Sequence, residues 1–437
     1  MKEKSKKELI DEYIELYKKH MNLEKEKEKL EKELKKYKNA NTPSSANKHI
    51  MVDTQGLKAK RGAKRGAPKG HKGATLILPG PNVIVPVTTN KCLICKSPNI
   101  EPTGYIKKRT IICYQKAKVV IKRYDQVEYR CLNGFHVFLA TRKDIPEKGL
   151  YDKTIQSLVN YYKFKARLPH NIIVDVMNNI HDVPMTDPTS LAITRRASEK
   201  LEPLYQDLEN EIKQADVVGG DETSFSVKGV NHWVWVFCNA LLSLFKFKKE
   251  RGGDIVEKTL GKDFKGKLVS DGWRTYMSYS EEYGIELQRC WDHLRREVKH
   301  ECKEKHPDLY KWCCDIYFMV KKGRKYKQEW RRHDMHAKCK AELAMLINHM
   351  KAHRNLRKLA TKIENGKDYW FTTILHPELP MDNNESERSL RPFVLIRKII
   401  GCLRSELGKK NYEVMMSLIS TWQKQGKNAF HTLEASL

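Results

Sequence analysis

The chain is 437 residues long, carries 83 Lys and Arg against 54 Asp and Glu for a formal charge of +29, and is 40% apolar. Domains run to roughly 100–200 residues, so two or three are expected, and a positive surplus of this size repels itself unless a polyanion such as nucleic acid neutralises it. No apolar run approaches the ~20 residues of a membrane span, which argues against a membrane protein.

The opening Met-Lys-Glu-Lys-Ser-Lys-Lys is followed by no apolar signal segment, so a cytoplasmic protein is expected. Its 11 cysteines then stay reduced, and paired cysteines point to metal rather than to disulfides.

Residues 1–38 are Lys, Glu and long apolar side chains. Leu9, Leu16, Leu23, Leu30 and Tyr37 recur every seven residues, with Tyr13, His20, Lys27 and Leu34 four places after the leucines. One apolar seam and one half-polar seam predict a short parallel coiled coil, and hence a homodimer or higher oligomer. A solitary charged helix held by its i,i+4 pairs is the plainer alternative. Residues 39–74 form a linker, with Asn-Thr-Pro-Ser-Ser-Ala-Asn, and then a glycine-rich basic arm. Lys58, Lys60, Arg61, Lys64, Arg65, Lys69 and Lys72 are expected to lie along DNA phosphates.

From 75 to 145 the pattern is short and β-like. Val83, Val85 and Val87 alternate around Pro86, which suits an edge strand, and Val119 alternates with Ile121. Cys92 and Cys95 have the spacing of half a tetrahedral zinc site, with Cys131 as a third ligand. Gly134 stands where a fourth cysteine would be, so His136 is the candidate and Cys113 another. A small zinc-ribbon-like DNA-binding domain is expected here. Residues 146–214 turn helical, with Ile155, Leu158 and Tyr162 on one face and Leu201, Leu204 and Leu208 on another.

The stretch 215–300 carries the chemistry. In Asp216-Val-Val-Gly-Gly-Asp221 a short apolar run ends in a carboxylate, two aromatic strand-like runs cover 232–238 and 240–247, and Gly229-Val230-Asn231 supplies a turn before the first. A helix is expected over 254–260, then a strand ending in Asp271, then a helix near 275–283. In a mixed sheet the first and fourth strands can be neighbours, which brings Asp221 and Asp271 side by side. Two close carboxylates need a cation, and hard oxygen ligands select Mg²⁺ or Mn²⁺, two ions of which can serve phosphoryl chemistry. Each Asp alone could instead cap the element after it. Residues 301–375 read as a mostly helical insertion, in which Trp312 and Trp330 could touch DNA or simply pack. Over 376–437, Asp382 or Asn383 can cap a helix carrying Glu385 and Glu387. Glu387 shares a helical face with Arg391, and Pro392 is expected to end or restart the helix.

These motifs resemble those of the transposases of insertion-sequence family sixty-six. Asp221-Glu222-Thr223 with His232-Trp-Val-Trp-Val-Phe237 is similar to the first block of that family. Val269-Ser270-Asp271-Gly272, Tyr276 and Arg289-Cys290-Trp-Asp-His293-Leu-Arg295-Arg296 look like the second. Asp382-Asn383-Asn384, Glu387-Arg388, Leu390-Arg391-Pro392, Arg397-Lys398, Gly401 and Arg404-Ser405 look like the third. The resemblance spans nearly the whole chain, including the leucine helix, the linker, Gly66-Ala-Pro-Lys-Gly70-His71-Lys-Gly73 and the first cysteine pair. It departs in lacking the second Cys-x-x-Cys pair, and in having Ala and Lys where the family prefers Gly and Gln in the glycine-rich segment.

The resemblance implies an α/β ribonuclease-H-like core on a mixed sheet, with Asp221, Asp271 and Glu387 as the acidic triad. Glu387 is preferred to Glu385 because it precedes Arg in the matching block. Arg388, Arg391 and Lys398 join the DNA-contacting set, and Cys290 with His293 reads as a local pair rather than a zinc site. The implied protein binds the ends of an insertion element, cuts and joins DNA, and works on transposon-end and target DNA, with accessory transposition proteins as further partners. The alternatives are a non-catalytic DNA-binding protein derived from a transposase and a metal nuclease without strand transfer.

Overall fold

The computed structural model describes residues 148–252 and 254–437, the shorter stretches 97–99, 119–130, 137–140 and 145–146, and scattered residues between 15 and 27. The chain divides into two units, 44–120 and the remainder, and the architecture below belongs to the second. The heptad leucines apart from Leu23, the basic arm and the zinc candidates Cys92, Cys95, Cys113, Cys131 and His136 lie outside the described residues. Of residues 1–38, positions 15, 20, 22–24, 26 and 27 are described, and they are helical and exposed.

Residues 119–127 form no strand, contrary to the expected alternation of Val119 and Ile121, and Ile121 is 92% exposed. An apolar alternation makes a strand only where one face finds a core to cover. A small hairpin follows, β1 (Glu128–Arg130) antiparallel to β2 (Val137–Leu139). Then come α1 (Lys153–Asn160), capped by Asp152 and extended by a π-helical turn, α2 (His170–Asn179) and the long α3 (Asp187–Lys213). The buried face of α3 is Leu201, Tyr205, Leu208 and Ile212, whereas Leu204 is 42% exposed. The expected face therefore turns by one position, because the bulky Tyr205 takes the inward place and donates its hydroxyl to Phe245 O.

The central sheet is built from β3 (Val217–Val227), β4 (Val230–Cys238) and β5 (Ser243–Lys248), then α4 (Asp254–Leu260), β6 (Lys267–Ser270), α5 (Arg274–Tyr283) and β7 (Leu287–Arg289). Its order is β5-β4-β3-β6-β7. The hairpin pairs are antiparallel, while β3, β6 and β7 run parallel, so the sheet is mixed. Lys228 and Gly229 both have positive φ and form the two-residue turn between Val227 and Val230, one place earlier than the expected Gly229-Val230-Asn231.

A helical block follows: α6 (Trp291–Cys302), α7 (Pro307–Gly323), α8 (Glu329–Ala352), α9 (Arg357–Glu364) and α10 (Thr372–Leu375). It has its own core, in which Cys302, Cys313 and Cys339 sit as small apolar residues among Ile316, Leu346 and Phe371. Trp312 donates to Glu342 within this block, while Trp330 is 66% exposed. The chain then returns through α11 (Asn384–Ile400), β8 (Cys402–Leu403), α12 (Glu406–Lys424) and α13 (Ala429–Ser436). β8 adds to β3 in parallel.

Helix α11 runs unbroken through Pro392, contrary to the expected stop. An interior proline costs about 3 kcal/mol, but Leu390, Phe393 and Ile396 are all buried in the sheet's core, and that packing outweighs it. Helix α12 seals the outer strand. Glu413, Ser417 and Thr421, one turn apart, accept from the outward N–H groups of Phe247, Phe245 and Ser243. An open strand edge is thereby closed by side chains rather than by another strand. Among the described residues, no helix is long and apolar enough to cross a membrane.

Candidate active site

Parallel pairing of β3 with β6 sets Gly220 opposite Ser270, so Asp221 and Asp271 stand next to each other one place further on. Strand β3 does not end at Asp221 as expected. It continues to Val227 because β4 pairs with it along that length, with Asp221 opposite Val236. It is β6 that stops at Ser270, and this opens the sheet beside Asp221. The two glycines before Asp221 are needed for close approach. A Cβ on Gly219 would stand 2.5 Å from Ser386 Oγ, and one on Gly220 would stand 2.4 Å from the Tyr276 ring.

Those approaches bring in the third acid. Asn383 is 2% exposed, and its Nδ2 donates to Gly220 O at 2.8 Å. Its backbone N–H donates to Cys290 Sγ at 3.2 Å, and Asn384 Nδ2 donates to Asp292 Oδ2 at 3.0 Å. Asn383 thus occupies the N-cap position of α11, but its side chain fastens the helix to β3, while Asp382 accepts from Asn384 N. Glu387 follows one turn on. Its Oε1 is buried without a hydrogen bond, 3.5 Å from His293 Nε2, and His293 Nδ1 is likewise buried and unbonded. Glu385 turns elsewhere, to Arg388 at 2.7 Å and Lys424 at 2.9 Å. Burial raises its pKa, but those two cations outweigh burial and leave it below the usual range.

Burial, then the negative charge of Asp271, push the Asp221 carboxyl up to about 8, and Glu222 and Glu387 add to the repulsion. Glu222 is also raised, by burial and then by Asp271, but it has a counter-charge in Arg251. Arg251 Nε and Nη2 donate to Glu222 Oε1 at 2.9 and 2.6 Å, and the guanidinium lies over Trp273 at 3.5 Å and Trp233 at 4.5 Å. Asp271 Oδ1 accepts from Trp273 N at 2.9 Å. Asp221, Asp271 and Glu387 are therefore near enough to repel one another, and among the described residues no Lys or Arg forms an ion pair with any of them. Among the described residues, no three His, Cys, Asp or Glu side chains close tightly enough to hold one ion between them.

The sequence model described as "Transposase IS66 family" matches residues 148–411. The chain belongs to that family. Over 97 residues it is also 30% identical to the uncharacterized protein y4jO of Sinorhizobium fredii (strain NBRC 101917 / NGR234), a match over 22% of this chain and 30% of that protein. The chain thus covers under a third of that relative's length.

In this IS66-family chain the three predicted DNA contacts on α11 are exposed, at Arg388, Arg391 and Lys398. No ion pair joins Glu387 to Arg391, although they are a turn apart, because Glu387 leans toward His293 on α6 and Arg388 is drawn to Glu385. Arg397 is instead a structural tie, donating to Ser224 Oγ at 3.0 Å. A cleft of about 360 Å³ opens beside Asp271, with Arg289, Trp370 and His293 in its wall. Sequence reasoning missed Arg251, which lies in a loop without periodicity, and gave no role to Glu222 or Arg289. Asn383 carried a signal, as an amide beside a helix start, but nothing local shows that its partner is Gly220.

Proposed function

We propose that the chain is a divalent-metal-dependent DNA transposase that cuts at the ends of an insertion element and joins the freed end to target DNA, on a ribonuclease-H-like core. The observation that carries this reading is the group of Asp221, Asp271 and Glu387 on three separate elements, with Asp221 pushed up to about 8 and Glu387 Oε1 buried without a hydrogen bond. Carboxylates gathered at such a cost, all offering hard oxygens, fit Mg²⁺ or Mn²⁺. Asp221, Asp271 and Glu387 would hold two such ions, which supply charge neutralisation and an activated oxygen when bound. That the acids do not close on a single ion suits a site completed by phosphate oxygens of DNA.

Within this reading the chain's own groups have separate tasks. Asp221 stays ionised only when the charge of Asp271 beside it is balanced. His293, 3.5 Å from Glu387, orients that carboxylate. Arg251 neutralises Glu222, so the fourth acid leaves the chemistry to the other three. A water attacks the phosphodiester at the element's end, the P–O3′ bond breaks, and a 3′-hydroxyl leaves. That hydroxyl attacks a target phosphodiester and displaces a second 3′-hydroxyl. Membership in a transposase family implies DNA as partner. The basic arm from Lys58 to Lys72, a dimerising leucine helix and structural zinc at Cys92, Cys95, Cys131 and His136 complete the proposal.

The test is cleavage and joining of labelled end DNA with Mg²⁺ or Mn²⁺, comparing the intact chain with Asp271→Ala. Metal-dependent nicking and joining should vanish in the variant while end binding persists. Binding without nicking in both would replace this reading with a non-catalytic DNA-binding protein, and nicking without joining would leave a metal nuclease.

A further inference from the structure

Arg289 is the last residue of β7, and the register sets it opposite Ser270 of β6. Gly220, Ser270 and Arg289 thus form one row across three parallel strands, directly beneath the Asp221 and Asp271 pair. The guanidinium is always charged, and here the residue is 3% exposed. Burying such a group is costly unless it is paired and hydrogen-bonded. Yet among the described residues it has no carboxylate within ion-pair distance. Its one hydrogen bond is a long one, Nη1 to Lys362 O at 3.5 Å, and Nε has none. Its other support is the face of Trp370, 4.3 Å from the ring centre.

The surroundings are shaped to keep this guanidinium in place. A Cβ on Gly272 would stand 2.1 Å from Nη2, and one on Gly366 would stand 1.6 Å from Nη1. Two glycines, one just after β6 and one within the helical block between α9 and α10, therefore make the room. Other charges on the cleft are committed or at its rim: Lys362 is paired with Glu297 at 2.5 Å, and Arg274 is exposed. Asp271 attracts the guanidinium, but its Oδ1 is taken by Trp273 N and no ion pair forms. A buried cation with unused donors, lining an open cleft against Asp271, lacks an anion. A phosphodiester offers two non-bridging oxygens that share one negative charge and match a guanidinium fork.

We propose that the cleft beside Asp271 is a subsite for one DNA backbone phosphate near the cleaved bond, clamped by Arg289; this rests on reading the chain as a DNA-cutting transposase. Arg274 at the rim guides the strand in, and the clamp fixes the register of the strand over the three acids.

The experiment scans the end duplex with single neutral methylphosphonates and measures binding by the full chain without divalent metal. One position within a few nucleotides of the cleaved bond should lose about tenfold in affinity, the scale of a charge-assisted hydrogen bond. In Arg289→Gln that dip should vanish, and the salt slope should fall by about one. A flat profile in the unsubstituted chain, or an unchanged dip in the variant, overturns the proposal. Should Arg289→Gln fail to fold, the exposed Arg274→Cys serves: a thiol tethered to that phosphate should cross-link above the unsubstituted chain, and no excess overturns the proposal. A chain that shows the dip but never nicks with metal keeps the clamp and loses the catalytic reading. One that nicks with a flat profile does the reverse.

Discussion

Asn383 Nδ2 donates to Gly220 O at 2.8 Å, so the residue that starts the helix of Glu387 is fastened to the residue before Asp221. One side-chain amide sets the distance between the third acid and the first. Asn383→Ala should leave a buried carbonyl unpaired and cost about 1–3 kcal/mol in thermal or denaturant unfolding. Cleavage should fall by much more than end binding, with a higher metal concentration needed for half-maximal nicking. Equal losses in binding and cleavage would reduce Asn383 to a stability residue.

The two glutamates of α11 should separate cleanly. Glu387→Gln should abolish nicking, roughly 10³-fold or more if it holds a metal that does phosphoryl chemistry. Glu385→Gln breaks an exposed ion pair with Arg388 and a partly buried one with Lys424, whose ammonium keeps its bonds to Asn239 O and Leu242 O, and should change activity and stability little. The comparison is a single-turnover nicking rate for each variant, and equal effects would contradict the assignment.

Stability without metal should depend on pH in an unusual direction. The Asp221 carboxyl lies near 8 in the fold against about 4 in an unfolded chain, so the fold binds the extra proton between those values. Stability from this group is therefore fully present below about pH 4 and is lost as pH rises toward 8, by something on the order of a few kcal/mol. Asp221→Asn should flatten the trend, and Mg²⁺ or Mn²⁺ should restore stability at pH 8. Thermal melts across pH 4.5 to 8.5 would show it, and a metal-free chain more stable at pH 8 than at pH 5 would count against it.

Glu222 has a side chain 1% exposed and depends on Arg251. Removing Arg251 leaves that carboxylate buried without a counter-charge, with only the long hydrogen bond from Tyr276 Oη at 3.4 Å. Because Arg251 keeps a third of its own side chain exposed, the expected loss is roughly 2–4 kcal/mol, below the figure for a fully buried pair. The loss should shrink as pH falls, since protonated Glu222 needs no counter-charge. The double variant Arg251→Met with Glu222→Gln should recover much of it, as urea unfolding would show.

Much of this protein was legible in one dimension. The apolar run ending in Asp221 and the aromatic runs at 232–238 and 240–247 make strands because their side chains match a pleated, buried surface, although β3 continues past Asp221 to Val227. The helix over 254–260 and the strand just before Asp271 follow from local pattern in the same way, while the order of strands and helix only allowed β3 beside β6, and the fold realises that pairing. Where local pattern competed with packing, packing decided. Pro392 sits inside a helix because Leu390, Phe393 and Ile396 of the same helix are buried in the core. Leu204 faces out because Tyr205 fills the core. Charge was the least legible property. The resemblance alone favoured Glu387 over Glu385, and the physical difference comes from the neighbours brought in by α6 and α12: Glu385 is paired with Lys424, whereas Glu387 meets only His293 at 3.5 Å. Arg251 and Arg289 read alike as loop and strand-end cations, yet one meets a buried glutamate and the other an open cleft. Period and propensity act between residues close in the chain, whereas desolvation and charge pairing act through space, and only the folded arrangement sets those distances.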